Sequence, residues 1–412
     1  MIENALASLL SADMCIKCNI CTSACPVAAV TDLFPGPKTV GPQAQRFRHP
    51  GLPPVDRSVD YCSGCGVCSL VCPHGVQVAE MNAIARAAMW ESEGIPLRNR
   101  LLGRAELLGR LASPFAPLSN IPLRLAPLRW LIELMFGVHR KAPFPRFAWP
   151  SFRRRFAVNE RKRKAAAVGH YKVVYFHGCS TDYYEPHVGL AAVALLERHQ
   201  CKVTVAEQNC CGLPMQSNGD FETARAHAQA NITKLAPWVR EGYLVVGTST
   251  SCTLAIKHEY RSVLGLDSEE ARLVAENTWD FFEFLEMLAD EGKLRPRLNR
   301  YERRVFYHAP CQLRSHGIGR PAARLLRRIP DISLADSRAD CCGVAGTYGL
   351  KREKYDIATE VGGSLFDEIR QSAPDVVACD SETCRWWIQH HTGIRAVHPA
   401  EILAEAYAIR VR

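Results

Sequence analysis

The chain has 412 residues, of which 47% are hydrophobic and 18 are cysteine, and this length supports two or three domains with their own cores. Its formal net charge is +9, and no run of about 18 uncharged apolar residues occurs, so we expect no membrane-spanning helix. The opening residues, MIENALASLL, lack the basic region and cleavage site of a secretory signal, so we expect a reducing cytoplasm in which thiols stay free for metal.

Two cysteine runs near the N terminus have the spacing of bacterial ferredoxin motifs, with three Cys at three-residue steps and then Cys-Pro. Such runs hold [4Fe–4S] clusters, and in two-cluster proteins the last Cys of each run serves the other cluster. We therefore expect one cluster on Cys15, Cys18, Cys21 and Cys72, and a second on Cys62, Cys65, Cys68 and Cys25. Zinc is the alternative, but its sites usually combine two separated Cys-x-x-Cys pairs, so the spacing favours iron–sulfur.

Residues 1–94 are predicted to form a small, mostly helical module around these two runs. Each run is expected on a turn that leads into a short helix. The loop between the runs, FPGPKTVGPQAQRFRHPGLPP, is too rich in Pro and Gly for a regular helix. Residues 78–93 are alanine-rich and follow a helical pattern.

A basic connector, residues 95–170, follows the module and is broken by prolines. Residues 95–164 contain 16 Lys and Arg against three acidic residues, a net of +13, whereas the rest of the chain carries −4. Residues 123–135 mix Leu, Trp and Ile with arginine, which suits the headgroup region of an anionic membrane. A buried amphipathic helix whose arginines meet acidic neighbours is the alternative. No DNA- or RNA-binding motif is present, so we expect no nucleic-acid partner.

Beyond the connector the chain repeats itself, and we expect two similar domains, residues 171–295 and 296–412. Strand-like runs alternate with helical patterns in both copies, which predicts a parallel sheet in each. The predicted fold class is therefore α plus α/β: a helical ferredoxin-like module followed by two repeated α/β domains. Four cysteines recur at offsets of 131 or 132 residues and are predicted to lie at the carboxyl ends of the strands, where open α/β sheets place their sites: Cys179, Cys210, Cys211 and Cys252 in the first copy, and Cys311, Cys341, Cys342 and Cys384 in the second.

Four thiols in each repeat are enough for one further iron–sulfur cluster, and Gly after each Cys-Cys pair allows the tight turn that two adjacent ligands require. Small buried hydrophobic residues are the alternative for these cysteines. Cys201 is predicted to be a core residue. Cys379 lies near the second set of cysteines at a different spacing and could substitute as a ligand, although the pattern does not require it. His177 and His308 lie near Cys179 and Cys311. Direct ligation of a cluster is one alternative for them, but we expect them to be buried hydrogen-bond partners of the ligands.

The Cys-Cys-Gly repeats resemble those of heterodisulfide reductases and of iron–sulfur subunits from flavin dehydrogenases. The FPGPK loop, SPFAP at Ser113, CCGVAGTYG at Cys341 and the closing HPAEIL resemble the family of iron–sulfur subunits of anaerobic glycerol-3-phosphate dehydrogenases over essentially the full length. The resemblance implies an electron-transfer subunit that ties a flavin-containing catalytic pair to the cytoplasmic face of the inner membrane. It also implies that electrons pass to the quinone pool, such as menaquinone, and that the protein is peripheral.

The sequence departs from the heterodisulfide reductase pattern at the end of each repeat. Ser249 and Ser381 stand where that pattern has the first cysteine of Cys-x-x-Cys, so a five-thiolate non-cubane cluster is not implied. No G-x-G-x-x-G follows a strand, so we predict no catalytic residues and assign substrate oxidation to a partner. Three alternatives stay open: an iron–sulfur subunit of a glycolate or lactate dehydrogenase, a heterodisulfide reductase-like enzyme that reduces its own acceptor, and a purely structural anchor.

Overall fold

The computed structural model describes residues 3–49, 54–160 and 169–409. Three predicted parts lie outside the described residues: the basic run at residues 161–164, residues 165–168 near the end of the connector, and the PGLP part of the inter-motif loop, residues 50–53. Across the three described ranges, no helix combines the length and the apolar character needed to cross a membrane.

The N-terminal module is helical, as predicted, and each cysteine run leads into a one-turn helix, Ile20–Ser23 or Val67–Leu70. The residue before each turn, Asn19 or Gly66, has a positive φ. The predicted helix at residues 78–93 is confirmed with the same bounds. Its buried side chains contribute to the two small cores that surround the cysteines. The helical segments of the module are Glu3–Leu10, Ser11–Met14, Ile20–Ser23, Thr39–Gln43, Arg57–Tyr61, Val67–Leu70 and Val78–Glu93.

The connector is a series of short helices separated by its prolines, and it contacts both repeats, the second through Val138 and Arg98. The helix Leu97–Gly103 packs against Leu213–Ser217, and Ala105–Ala112 packs against Gly178–Tyr183. Phe152 is fully buried in the main core. The connector helices are Leu97–Gly103, Ala105–Ala112, Ser113–Phe115, Ala116–Ser119, Ala126–Phe136 and Phe152–Glu160.

Each repeat contains a four-stranded parallel sheet, and the two sheets have the same topology. The first runs in the order β2-β1-β3-β4 and the second in the order β6-β5-β7-β8. The last strand of each sheet is very short and was not apparent in the sequence pattern. The strands are β1 Tyr171–Phe176, β2 Cys201–Thr204, β3 Tyr243–Gly247, β4 Thr278–Asp280, β5 Arg304–His308, β6 Ser333–Asp336, β7 Val376–Cys379 and β8 Ala396–Val397.

The two repeats share one continuous hydrophobic core. The helix Phe281–Asp290 of the first packs against Pro321–Leu326 of the second, and Pro186–Arg198 packs against Pro399–Ala406. This contact fixes the two sheets relative to each other. The remaining helices of the repeats are Gly178–Tyr183, Leu213–Ser217, Phe221–Arg240, Thr250–Leu254, Ala255–Glu259, Tyr260–Ser262, Glu269–Glu276, Cys311–Ser315, Tyr348–Leu350, Tyr355–Ser372 and Glu382–Thr392.

Candidate iron–sulfur centres

The structure brings together four thiols from the two N-terminal runs in the combination predicted for the first cluster, which we call cage A. Cys15, Cys18, Cys21 and Cys72 line one small pocket. Burial raises the pKa of Cys21, and the nearby thiols of Cys15 and Cys72 raise it further. Val76 N–H donates to Cys72 Sγ at 3.4 Å, whereas Cys18 is exposed. Cage A therefore lies at the surface of the module.

The second predicted combination, Cys62, Cys65, Cys68 and Cys25, forms a deeper group that we call cage B. Burial raises the pKa of Cys25 to about 11, and the Cys62 thiol adds to this shift. Burial likewise raises the pKa of Cys65 to about 12, with Cys341, Cys62 and Cys25 contributing. Buried thiolates this close to one another repel, so all four are stable as thiolates only around a cationic body.

The spacing of these thiols distinguishes between a cluster and a single ion. Within the described ranges, no three or more His, Cys, Asp or Glu side chains converge as ligands of one metal ion. A structural zinc site requires four ligands at bonding distance from one atom, whereas cluster thiolates bind separate irons. The ferredoxin spacing of the two cysteine runs fits the separate irons of a [4Fe–4S] cluster better than one zinc ion.

The four predicted thiols of the first repeat form one continuous group beyond the ends of β1, β2 and β3. Cys210 Sγ lies 3.7 Å from Cys179 Sγ, and the Cys211 thiol contacts those of Cys210 and Cys252. Hydrogen bonds from the Cys179 and Cys211 thiols and from Gly212 N–H hold the pKa of Cys210 well below its ordinary value.

The second repeat gathers the equivalent four thiols and adds a fifth. Cys342 Sγ lies 2.9 Å from Cys384 Sγ, and Gly343 N–H donates to Cys341 Sγ at 3.3 Å. The fully buried Cys379 also contacts Cys384. Its counterpart in the first repeat, 132 residues earlier, is Gly247. The site of the second repeat therefore has five thiols, whereas that of the first has four.

Glycine after each Cys-Cys pair is required by both conformation and space. Gly212 and Gly343 have φ values of +88° and +92°. A Cβ on Gly343 would lie 1.9 Å from the carbonyl oxygen of Ala358, and one on Gly212 would lie 3.1 Å from that of Ala224. Only glycine lets the loop present both adjacent thiols to one site.

The two predicted supporting histidines are buried behind the repeat sites. His308 Nδ1 is 3.2 Å from Ser337 Oγ, and His177 Nδ1 is 2.7 Å from Gly178 O. The Nε2 atom of each is buried without a hydrogen-bond partner among the described residues. His308 stands beside Cys341 and Cys384, so a thiolate or cluster sulfur would satisfy its orphaned nitrogen. Cys201 lies in the core, away from both sites, as predicted.

Cage B adjoins the site of the second repeat. Burial raises the pKa of Cys65, and among the neighbouring thiols Cys341 contributes most to that shift. Ser315, in the helix Cys311–Ser315, donates to Cys65 O at 3.4 Å, and a Cβ on Gly66 would lie 2.4 Å from Ser315 Oγ. The thiol groups thus follow one another from cage A, which reaches the surface at Cys18, through cage B, in which Cys62 and Cys68 are buried, to the second repeat.

A cavity of about 830 Å³ lies where the two repeats, the module and the connector meet. Thiols of both repeats line it, together with Cys65 of cage B. Glu382 also lines it and accepts hydrogen bonds from Ser180 at 3.0 Å and Ser249 at 3.2 Å, which ties the second repeat to the first. Nothing in the sequence pattern pointed to Glu382, because its partners are distant in the chain.

Comparisons with known proteins agree with this arrangement. The family described as a 4Fe-4S dicluster domain matches residues 11–76, and the family described as a cysteine-rich domain matches residues 173–257 and 305–389. The glycolate oxidase iron–sulfur subunit of Escherichia coli is 24% identical, and the match covers 95% of this chain and 93% of that relative. One of the subunits of the dihydromethanophenazine:CoB–CoM heterodisulfide reductase of Methanosarcina acetivorans is 23% identical, and the match covers 92% of this chain and 88% of that relative.

A third comparison is closer and spans nearly the whole chain. One of the subunits of the anaerobic glycerol-3-phosphate dehydrogenase of Escherichia coli is 35% identical over 404 residues, which cover 97% of this chain and 99% of that relative. Both the dicluster domain and the two cysteine-rich domains fall within this match. The chain therefore belongs to the family of iron–sulfur subunits of anaerobic glycerol-3-phosphate dehydrogenases.

Proposed function

We propose that this chain relays electrons from a flavin-containing glycerol-3-phosphate dehydrogenase partner to a membrane quinone. The observation that carries the proposal is the succession of thiol groups from the protein surface at Cys18, through cage B, to the second repeat. Clusters held in such cages, when bound, accept and release single electrons. The chain's own residues supply the thiolates and set their order.

The exposed side of cage A has the character of a docking face for the electron donor. Ile16 and Ile20 line the same pocket as the cage A thiols, and Leu10 and Met14 lie just before Cys15. These four side chains are 45% to 63% exposed. We assign this face to the flavoprotein, because it lies at the opposite end of the thiol series from the repeats.

A second exposed apolar surface, the connector face, lies on the connector and is assigned to the membrane. Large exposed hydrophobic side chains do not occur in the described residues beyond 160. Three exposed arginines, Arg104, Arg110 and Arg124, lie among the exposed hydrophobic side chains of the connector. This mixture of apolar and basic side chains suits the boundary of an anionic bilayer. The connector face comprises Leu107, Leu108, Leu111, Phe115, Leu118, Ile121, Leu125, Trp130, Leu131, Leu134 and Met135.

The relay is tested by mixing the anaerobically purified, iron-loaded chain with the flavoprotein partner and one substrate at a time. We expect glycerol-3-phosphate to bleach the visible absorbance of the chain, and omission of the flavoprotein to abolish the bleaching. Bleaching with glycolate or lactate instead would favour the related dehydrogenases. A chain that dithionite reduces but no flavoprotein and substrate reduce would contradict the relay.

Two matched variants test the roles of the two surfaces separately. Leu134→Ser on the connector face should weaken sedimentation with anionic vesicles, whereas Leu10→Ser beside cage A should weaken reduction by the flavoprotein and leave sedimentation unchanged. Each well-placed basic residue contributes about 1 kcal/mol to vesicle binding, and this part is lost at high salt. Binding that ignores salt, or no binding, would count against the assignment.

A further inference from the structure

We infer that the shared cavity binds the ring of a quinone-class acceptor, which enters from the membrane past the connector. The inference deepens the proposed function, on which it rests, by assigning the acceptor site to particular residues. The cavity volume of about 830 Å³ falls in the range of small-molecule sites. The site follows from three features: a wall of thiols, a wall of aromatic side chains and an apolar mouth.

The two walls of the cavity differ in chemistry. One consists of cysteines from both repeats, with Ser180 and Thr383 beside them. The other comes largely from the connector and includes Leu108, Leu123 and Phe144. A molecule in the cavity would lie against the electron-carrying sites on one side and against hydrocarbon on the other. A quinone ring with a long apolar tail matches both.

Three aromatic rings form a continuous row along the cavity, one each from the connector, the first repeat and the second repeat. The rings of Phe147 and Tyr184 lie 5.4 Å apart, and those of Tyr184 and Trp386 lie 6.1 Å apart. Tyr184 Oη donates to Ala105 O at 3.1 Å, and Trp386 Nε1 donates to Glu185 at 2.9 Å. Because their polar atoms already bond to protein, these residues offer ring surface to a planar ligand.

The aromatic wall is held in place by the connector itself. Asn120 makes two hydrogen bonds with the backbone of Phe147: its Nδ2 donates to Phe147 O at 3.0 Å, and its Oδ1 accepts from Phe147 N–H at 2.9 Å. The guanidinium of the buried Arg129 stands 4.6 Å from the centre of the Phe144 ring. Pro143 and Pro145 restrict the backbone between these anchors. The wall is therefore preorganised.

The mouth of the cavity opens on the connector face. Leu108 lines the cavity and is also 39% exposed. Leu123 lines it between the exposed Ile121 and Leu125. A lipid-soluble acceptor leaving a bilayer bound to this face would enter the cavity without crossing water.

The relay supplies the electrons that reduction of a quinone to a quinol requires. Two electrons, taken from the flavoprotein's substrate and passed singly along this chain, and two protons from water convert the two carbonyl groups of a quinone into the hydroxyl groups of a quinol. The hydroxyl of Thr383 lies in the cavity lining, where it can donate a hydrogen bond to a carbonyl oxygen, whereas that of Ser180 already donates to Glu382. The quinol leaves by the apolar mouth.

The test is photolabelling of the full, iron-loaded chain with an azidoquinone under anaerobic conditions, with the attachment point mapped by mass spectrometry. We expect label on the peptides that carry Leu108 or Phe147. Phe147→Ala should weaken analogue affinity about tenfold, because a stacked ring is lost, and Phe147→Leu should restore part of it. Leu118→Ser is the matched control, since Leu118 belongs to the connector face but not to the cavity lining, and it should label normally.

Label placed elsewhere, or unchanged affinity in Phe147→Ala with an unchanged cluster spectrum, would overturn the inference. Protection from labelling by a disulfide substrate rather than by a quinone would also overturn it. Binding of the analogue needs no electron donor, so failure of the relay would leave labelling intact. Conversely, a chain reduced by its flavoprotein that reduces a soluble dye, but shows no label in the cavity, would retain the proposed function and lose only this site.

Discussion

At the residue scale, a buried ion pair connects the cluster module to the second repeat. Lys354 Nζ donates to Asp60 O at 2.6 Å and pairs with the Asp60 carboxylate, and its side chain is only 1% exposed. Burial alone would raise the pKa of Asp60, but Lys354, with Lys351 and Arg86, lowers it to about 2. The pair fixes the turn that carries Cys62 and so helps to position cage B.

Lys354→Met should destabilise the protein by about 3 kcal/mol, because it leaves a buried carboxylate without a partner. Denaturant unfolding of the loaded protein measures the change. Arg240→Met removes an exposed ion pair with Glu270 and serves as the control, with an expected cost below about 0.5 kcal/mol. Equal effects of the two substitutions would show that the Asp60 pair has no structural role.

A second residue-scale prediction concerns Asp280, which is buried at the boundary between the repeats. Burial raises its pKa to about 8, and the facing carboxylate of Asp380 adds to the shift, whereas hydrogen bonds from Phe282 N–H and Thr250 oppose it. The folded state therefore holds a proton that the unfolded state releases near pH 4, so stability falls as pH rises from about 4 to about 8, by up to about 1.4 kcal/mol per unit.

Asp280→Asn should remove this loss, because the amide oxygen still accepts from Phe282 N–H and no charge forms. Unfolding free energies at pH 5 and pH 8.5 should differ less in the variant than in the parent, whereas the exposed Asp367→Asn should match the parent at both values. A variant with the full pH dependence of the parent would refute the assignment.

Single residues show what the sequence could and could not reveal. The cage cysteines are spaced regularly, so both sets of four were predictable, including the exchange of Cys25 and Cys72 between runs. Lys354 and Glu382 carry no comparable signal, because their partners, Asp60 and Ser180, are more than 200 residues away in the chain. A lone charged residue shows nothing of such a partner before the fold is known.

At the element scale, the Cys-Cys-Gly loops depend on a glycine that the following helix leaves no room to replace. Gly343→Ala should cost about 2–4 kcal/mol, because the new methyl group would meet Ala358 O and the backbone has a positive φ. Gly363→Ala, in the helix Tyr355–Ser372 with open space around it, should instead stabilise by about 0.5–1 kcal/mol. Thermal unfolding compares the two, and similar signs would contradict this account of the loop.

The sequence predicted most of the repeat strands but missed β4 and β8. These strands have three and two residues, too few for any alternation of side chains to be visible. For residues 123–135 the sequence left two alternatives open: a segment at the headgroup boundary of a membrane, and a buried amphipathic helix. The helix Ala126–Phe136 has both characters: Arg129 is buried and donates to the carbonyls of residues 139, 140 and 142, whereas Trp130 and Leu134 are exposed. The predicted acidic partners are replaced by carbonyl groups.

At the scale of the whole molecule, the sequence predicted the parts but not their contact. That cage B meets the second repeat rather than the first depends on how the module docks, which no local pattern encodes. Because of this docking, the repeat that adjoins cage B is the one that carries Cys379, the fifth thiol. We therefore expect the second repeat to be loaded, and the iron content to exceed the roughly eight atoms of two cubanes.

Cys341→Ser should lower the iron and acid-labile sulfide content towards about eight atoms, whereas Cys201→Ser, a buried thiol outside every site, should leave it unchanged. Iron and sulfide assays of anaerobically purified protein measure both. A parent protein with about eight irons, unaffected by Cys341→Ser, would mean that the repeats are unloaded and that the relay ends at cage B.

Low-temperature EPR of the reduced, anaerobically purified chain tests the central claim most directly. Each cage takes one cysteine from the other run, Cys72 in cage A and Cys25 in cage B, so the two [4Fe–4S] clusters should lie close together and give a spectrum broadened by spin coupling. Cys72→Ser should alter the signal of the cage A cluster more than that of the cage B cluster. A colourless preparation that contains zinc or no metal, or a single uncoupled signal, would contradict it.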